Sequence, residues 1–155
     1  CELESQLQEP LDKLLIPVGG GGLISGISFF AKTNGGIAST IIGAEPETAR
    51  DATDSFYSKN HVTDYKPMTI ADGLRATLGV KNFEIILKNV DEFITATESE
   101  IIEAMKIIWS RLKVIVEPSS AVPLAVILNK PEYFKNERVG VILSGGNLDL
   151  EDLPW

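Results

Sequence analysis

Apolar residues in this chain fall into short blocks separated by glycine, proline and polar turns. Leu14, Leu15, Ile16 and Val18 form a run of the length expected of a buried strand, over 14–18. Gly19, Gly20, Gly21 and Gly22 follow without a break, and a periodic apolar segment then predicts a helix over 23–32, stopped at Asn34, Gly35 and Gly36. A second buried strand is expected over 40–44, running into Glu45 and Pro46. Residues 47–59 are mixed and read as a helix or an irregular excursion; 60–67 are turn-like and 69–78 loop-like. A short helix over 83–90 and a strand over 92–96 come next. Thr97 caps an amphipathic helix with Glu98 and Glu100 in its first turn and Arg111 and Lys113 in its last. Glu117 and Pro118 open another helix, to about Asn129, and 139–143 form a final strand ending in Ser144, Gly145, Gly146 and Asn147. Ahead of all this, 2–8 read as a polar helix end stopped by Pro10, and the tail from Asp149 is acidic.

Strands alternating with helices indicate a parallel α/β sheet flanked by helices. Such sheets bind ligands beyond the carboxyl ends of their strands. Three polar signals sit at strand ends, namely the glycine run, Glu45, and 144–147, and their clustering predicts one shared site. A strand, a glycine loop and a helix in that order form an anion site: the helix start has unpaired N–H groups and partial positive charge, and glycine lets the backbone close on the guest. The natural guest is a phosphate. The loop has no Lys-Ser/Thr ending, and its contiguous glycines do not make the spaced G-x-G-x-x-G fingerprint. The bland alternative is a flexible turn, which four consecutive glycines make costly in backbone entropy.

Composition narrows the setting. The 155 residues suit one domain with a sizeable core, and 44% apolar with 23% charged content is ordinary for a globular chain. A net charge of −8 argues against a nucleic-acid or anionic-membrane partner. No apolar run approaches membrane-spanning length and no signal peptide is visible. The single cysteine, Cys1, excludes an internal disulfide framework and suits a reducing compartment, which points to the cytoplasm. A start at Cys1 in what reads as a helix already under way leads one to expect a piece of a longer protein.

Five motifs, PVGGGGL, AEPETARD, TIADGLR, EPSSAV and ILSGGNLDL, stand in this order between Pro17 and Leu150. Together they resemble the serine racemase and serine/threonine dehydratase group of the fold-type II pyridoxal-phosphate enzymes. The resemblance implies the large, tryptophan synthase β-like domain of such an enzyme, and only its C-terminal part, with the domain core at about 11–150. It implies that Gly19, Gly20, Gly21, Gly22 and the amide of Leu23 hold the cofactor phosphate. Gly73 would approach the cofactor through its backbone, and Glu117 would lie near the ring. Ser144 would hydrogen-bond the pyridine nitrogen, a contact that leaves that nitrogen largely neutral where a carboxylate would protonate it. Glu45 and Asp51, with the carbonyl of Ala49, would bind Mg²⁺ or Ca²⁺. Lys113 and Asn147 would contact ATP, as an effector, where two copies meet in a homodimer.

The residues alone leave other readings open. The 144–147 segment also reads as a plain strand exit, and two carboxylates six residues apart are more often solvated charges. Lys113 also suits a helix C-terminus and Glu117 a helix N-terminus. His61, alone in a polar loop, reads as a surface residue. The family's Schiff-base lysine, in a Ser-x-Lys-x-Arg-Gly stretch, and its opposing serine have no counterpart among these residues. The resemblance therefore implies a chain inactive alone, which needs the N-terminal portion of the same enzyme. The intact reaction would interconvert L- and D-serine and eliminate water from serine to give pyruvate and ammonia. A threonine/serine ammonia-lyase is the second enzymatic reading, and a phosphate- or nucleotide-binding module the non-enzymatic one.

Overall fold

In the computed structural model, which describes residues 2–33 and 36–155, β1 (Leu11–Pro17) lies inside a four-stranded parallel sheet. The order is β3 (Glu92–Ala96), β2 (Ala38–Pro46), β1, β4 (Val139–Val141). Leu14 sits between Ile41 on β2 and Gly140 on β4, and Leu15 between Ile42 and Val141. The expected α/β class is therefore the observed one.

The two-residue period of the strands divides the core. Leu14, Ile16, Ile41 and Phe93 face one layer of helices, α2 (Gly22–Thr33), α3 (Asp51–Ser58) and α4 (Val80–Asn89). Leu15, Ile42, Ala44 and Ile94 face the other, α5 (Glu98–Ile107) and α6 (Pro118–Asn129). Leu14, Leu15, Ile16, Ile41 and Ile42 are fully buried, each side chain contributing about 1.5–3 kcal/mol. Gly43 is set by packing: a Cβ there would lie 2.5 Å from the Phe93 ring.

Several boundaries differ from expectation. β1 begins at Leu11, which is buried and paired with Ala38, and α4 begins at Val80. Residues 47–59 resolve into a turn and α3, and 69–78 hold a 3₁₀ turn at Asp72–Leu74. Thr97 does cap α5, in a reciprocal capping box with Glu100. The α-helix ends at Ile107, however, and continues as a π turn, Ile108–Leu112, that closes on Lys113 with φ 59°. Arg111 and Lys113 thus occupy a wide turn and its left-handed cap; the indole N–H of Trp109 leaves this turn to donate to the Val116 carbonyl at 2.9 Å. β4 stops at Val141, and α7 (Pro131–Phe134) is too short to show a period. α1 (Glu2–Gln6) is the predicted helix end. Cys1 and the stop at Asn34 and Gly35 lie outside the described residues. No helix among the described residues is long and apolar enough to cross a membrane.

Candidate functional site

β1 pairs with β2 on one side and with β4, the last strand in sequence, on the other. The connections diverge at the carboxyl end of β1, and a parallel sheet opens a crevice at such a point. A recess of about 250 Å³ lies there, lined by Pro17, Gly19, Gly20, Gly21, Gly22, Leu23, Gly73, Leu74 and Ser144. The structure thus brings the glycine run, Leu23, Gly73 and Ser144 together, as expected.

Two positions of the loop, Gly19 and Gly21, require glycine. A Cβ on Gly19 would meet the Leu74 Cα at 2.9 Å. Gly21 has φ +83°, and its Cβ would lie 2.5 Å from Leu78 Cδ1. Among the described residues, no acceptor takes a hydrogen bond from the N–H groups of Gly19, Gly20, Gly21, Gly22 or Leu23. α2 starts at Gly22, so these free donors coincide with the positive end of its dipole. Backbone donors bordering a recess with no competing side chain fit the phosphate of a cofactor.

α6 ties the rest of the recess to the loop. Its first turn carries two buried hydroxyls, Ser119 and Ser120, in an otherwise apolar helix. Ser119 Oγ accepts from the Gly73 N–H at 3.1 Å. Ser120 Oγ accepts from the Gly145 N–H at 2.7 Å, donates to the Gly145 carbonyl at 2.6 Å, and lies 3.2 Å from Ser144 Oγ. Ser120 is therefore the post that holds Ser144 at the recess. Ser120→Ala strands the half-buried Gly145 amide, while the Gly145 carbonyl keeps the Glu117 N–H, and is expected to lower stability by about 1 kcal/mol in denaturant titrations of the intact protein; an unchanged midpoint would show that the loop re-pairs elsewhere.

Glu117 is half-buried at the edge of this arrangement. Its N–H donates to the Gly145 carbonyl at 3.2 Å, and its Oε2 accepts from the Asn147 N–H at 3.0 Å. A Cβ on Gly145 would come within 2.9 Å of Glu117 Oε1, and one on Gly73 within 3.7 Å, so the carboxylate borders both turns. Lys113 and Asn147 are exposed on adjacent segments, since a Cβ on Gly146 would meet the Ile115 carbonyl at 2.5 Å.

The acidic residues do not share the recess. Glu45 emerges on the α3 face of β2 and is fully buried. Its Oε1 accepts from the Ala52 N–H at 3.2 Å, and its Oε2 from the Thr53 N–H and Oγ1 at 2.7 and 2.6 Å. Burial raises its pKa to about 8 in spite of these bonds, with the neighbouring Asp51 adding to the rise. Asp51, also buried, accepts from the Leu78 N–H at 2.7 Å, and burial raises its pKa too. One shared site was expected; the strand's alternation puts Glu45 on the opposite side from Ala44 and aims it at α3. Neither carboxylate is the solvated charge that spacing alone favours. Among the described residues neither enters an ion pair with Lys or Arg, and no donor reaches the carbonyl of buried Ala49. A carboxylate has roughly four acceptor positions, so Glu45 keeps one beyond its three bonds. Two buried carboxylates with no Lys or Arg paired to them carry oxygen donors of the kind a hard divalent cation takes, and His61 is near enough to Asp51 to oppose part of the rise in its pKa.

His61 is not a surface residue. It is half-buried, stacked on Phe83 with ring centroids 5.2 Å apart, and its Nε2 is 2.6 Å from the Leu78 carbonyl. Sequence reasoning also missed Ser119, Ser120 and Asn82, whose amide donates to the Gly20 carbonyl at 2.6 Å. Paired serines opening an apolar helix were the readable signal for the first two; Asn82 had none.

A parallel sheet with a phosphate-type recess at the β1/β4 divide defines a cofactor-binding α/β domain of the fold-type II class. The chain belongs to the pyridoxal-phosphate dependent enzyme family, whose model matches residues 1–145. A serine racemase from Dictyostelium discoideum is 47% identical over 158 residues, covering 98% of this chain and 48% of that protein. Its crystal structure superposes with a TM-score of 0.86 at 44% identity, over 96% of this chain and 48% of the other. A β-hydroxyaspartate dehydratase from Paracoccus denitrificans is 46% identical over 154 residues, covering 99% of this chain and 48% of the relative. The processed form of threonine deaminase isoform 2 from Solanum lycopersicum superposes with a TM-score of 0.87 at 32% identity, over 97% of this chain and 42% of the other. The chain spans about half the length of the curated relatives it matches.

Proposed function

We propose that this chain is the C-terminal cofactor-binding part of a pyridoxal-phosphate enzyme that interconverts L- and D-serine and also eliminates water from serine to give pyruvate and ammonia. The observation that carries the reading is the recess itself, with free backbone donors at one end and a serine hydroxyl at the other. Gly19, Gly20, Gly21, Gly22 and Leu23 would hold the phosphate, Gly73 would pass beside the cofactor, and Ser144 would face the ring nitrogen. The cofactor supplies the electron-withdrawing ring that acidifies the substrate's α-proton. Ser144, steadied by Ser120, would hydrogen-bond the ring nitrogen and so leave it without a full proton, and Glu117 would lie near the ring. No lysine lines the recess among the described residues, so the lysine that holds the cofactor would come from the preceding portion of the enzyme.

The second reading is an ammonia-lyase (dehydratase), favoured by the likeness to the β-hydroxyaspartate dehydratase. One assay separates the two. The intact protein, loaded with pyridoxal phosphate, is given L-serine, L-threonine and 3-hydroxyaspartate in turn, and D-serine and 2-oxo acids are measured. D-serine formation supports the racemase; oxo acid from threonine or hydroxyaspartate alone supports the lyase; turnover of none overturns both. Within the intact protein, Ser144→Ala is expected to keep pyridoxal phosphate affinity to within about threefold, the low end of one hydrogen bond, while shifting the bound cofactor's absorbance and lowering turnover. Unchanged spectrum and rate would remove Ser144 from the ring.

Glu45, Asp51 and the Ala49 carbonyl would bind Mg²⁺ or Ca²⁺. Lys113 and Asn147 would contact ATP at the interface of a cytoplasmic homodimer, with no nucleic-acid or membrane partner.

A further inference from the structure

Free N–H groups make a phosphate cup only if they converge, and a tetraglycine loop has no side chains to make them do so. Glycine peptides flip at little steric cost. Something outside the loop must fix the planes. The Gly20 carbonyl is held from outside by two donors of one short segment: the Gly79 N–H at 3.1 Å and Asn82 Nδ2 at 2.6 Å. Asn82 is itself anchored, since it lies in the first turn of α4 and its carbonyl accepts from Ser25 Oγ of α2 at 3.5 Å. Its Cβ also stands 3.0 Å from where a side chain on Gly21 would begin.

The consequence follows from peptide geometry. The Gly20 C=O and the Gly21 N–H belong to one planar trans unit and point in opposite directions. Pinning the carbonyl toward α4 therefore directs the Gly21 N–H the other way, away from α4. The same pin maintains φ +83° at Gly21. We infer that Asn82 is a positioning residue for cofactor phosphate, acting through the Gly20–Gly21 peptide and touching no ligand. The inference rests on the pyridoxal-phosphate reading above and deepens it.

The test uses two ligands that differ only at the phosphate, pyridoxal phosphate and pyridoxal, titrated into the intact apo-protein by absorbance. The parent is expected to prefer the phosphorylated form strongly. Asn82→Ala should weaken pyridoxal phosphate about tenfold, on the scale of one hydrogen bond, and leave pyridoxal unchanged. Asn82→Asp, which keeps the shape but presents acceptors to an acceptor, should do worse than alanine. Asn82→Gln should recover part of the loss. Melting of the apo-protein is recorded for each variant. An equal loss for both ligands, or pyridoxal phosphate affinity unchanged in Asn82→Ala, overturns the positioning role while leaving the phosphate cup intact. A parent that binds both ligands alike overturns the cup itself, and the inference with it.

Discussion

Gly21→Val is expected to reduce the affinity of the intact protein for pyridoxal phosphate by about 2 kcal/mol or more, on the order of one or two charge-assisted hydrogen bonds. Two independent obstacles combine at this residue. The backbone sits at φ +83°, where a β-branched side chain is strained before it touches anything. The first side-chain carbon would then lie 2.5 Å from Leu78 Cδ1 and 3.3 Å from Ile86 Cδ1. Ile86 is fully buried, so α4 has little room to give. The Leu78 side-chain end can shift, but the strain at φ +83° is relieved by rotating the Gly20–Gly21 peptide, which breaks the bonds from Gly79 and Asn82 and turns an amide out of the cup. The loss should therefore fall on pyridoxal phosphate far more than on pyridoxal, and Gly21→Ala should show the same pattern more mildly. Cofactor titration into each variant reads it directly. A valine variant that binds pyridoxal phosphate as tightly as the parent would make the loop a simple turn.

The layout of the fold could be read from the chain because its strands are unbroken apolar runs. Leu14, Leu15 and Ile16 are buried on both faces of the sheet, as the continuous apolar run of a central parallel strand is, and the glycines that close the run keep it too short for a helix. The glycine loop was equally plain, since its chemistry lies in the absence of side chains. Ser144 and Gly73 could be joined to it through the family resemblance, but the joint itself, Ser119 and Ser120 on α6, is tertiary. Those hydroxyls are recognisable only once α6 is seen to meet both turns. The π turn at Ile108–Leu112 escaped for a different reason: its apolar residues keep nearly helical spacing, and the change of period is set by where Trp109 docks. His61 was misplaced because stacking on Phe83 leaves no pattern in a polar loop. The separation of Glu45 from the recess depended on which face of β2 it takes, and one residue of register decides that.

The buried acids give the last expected result, a pH dependence whose sign changes with metal. Glu45 is held near pKa 8 in the folded protein against 4.5 when exposed, chiefly because burial disfavours its charge. Between those values the folded protein keeps a proton that the unfolded chain releases. Stability of the metal-free protein should therefore be greatest below about pH 4.5 as far as this group is concerned, and should fall as pH rises to about 8, by up to roughly 1.4 kcal/mol per pH unit. Asp51, shifted in the same direction, adds to the fall. A divalent cation binds only the ionised pair, so millimolar Mg²⁺ or Ca²⁺ should offset the loss by mass action, and more so at higher pH. Thermal midpoints of the intact protein from pH 5 to 8, with chelator and with cation, make the comparison. The chelated curve should descend and the loaded curve should flatten or rise. Asp51→Ala should abolish the difference between them, because Glu45 alone has one acceptor position left to offer. Coincident curves in the parent would leave Glu45 a neutral buried carboxyl that accepts from the start of α3, and an undiminished cation effect in Asp51→Ala would put the cation elsewhere; either result removes the cation from this pair.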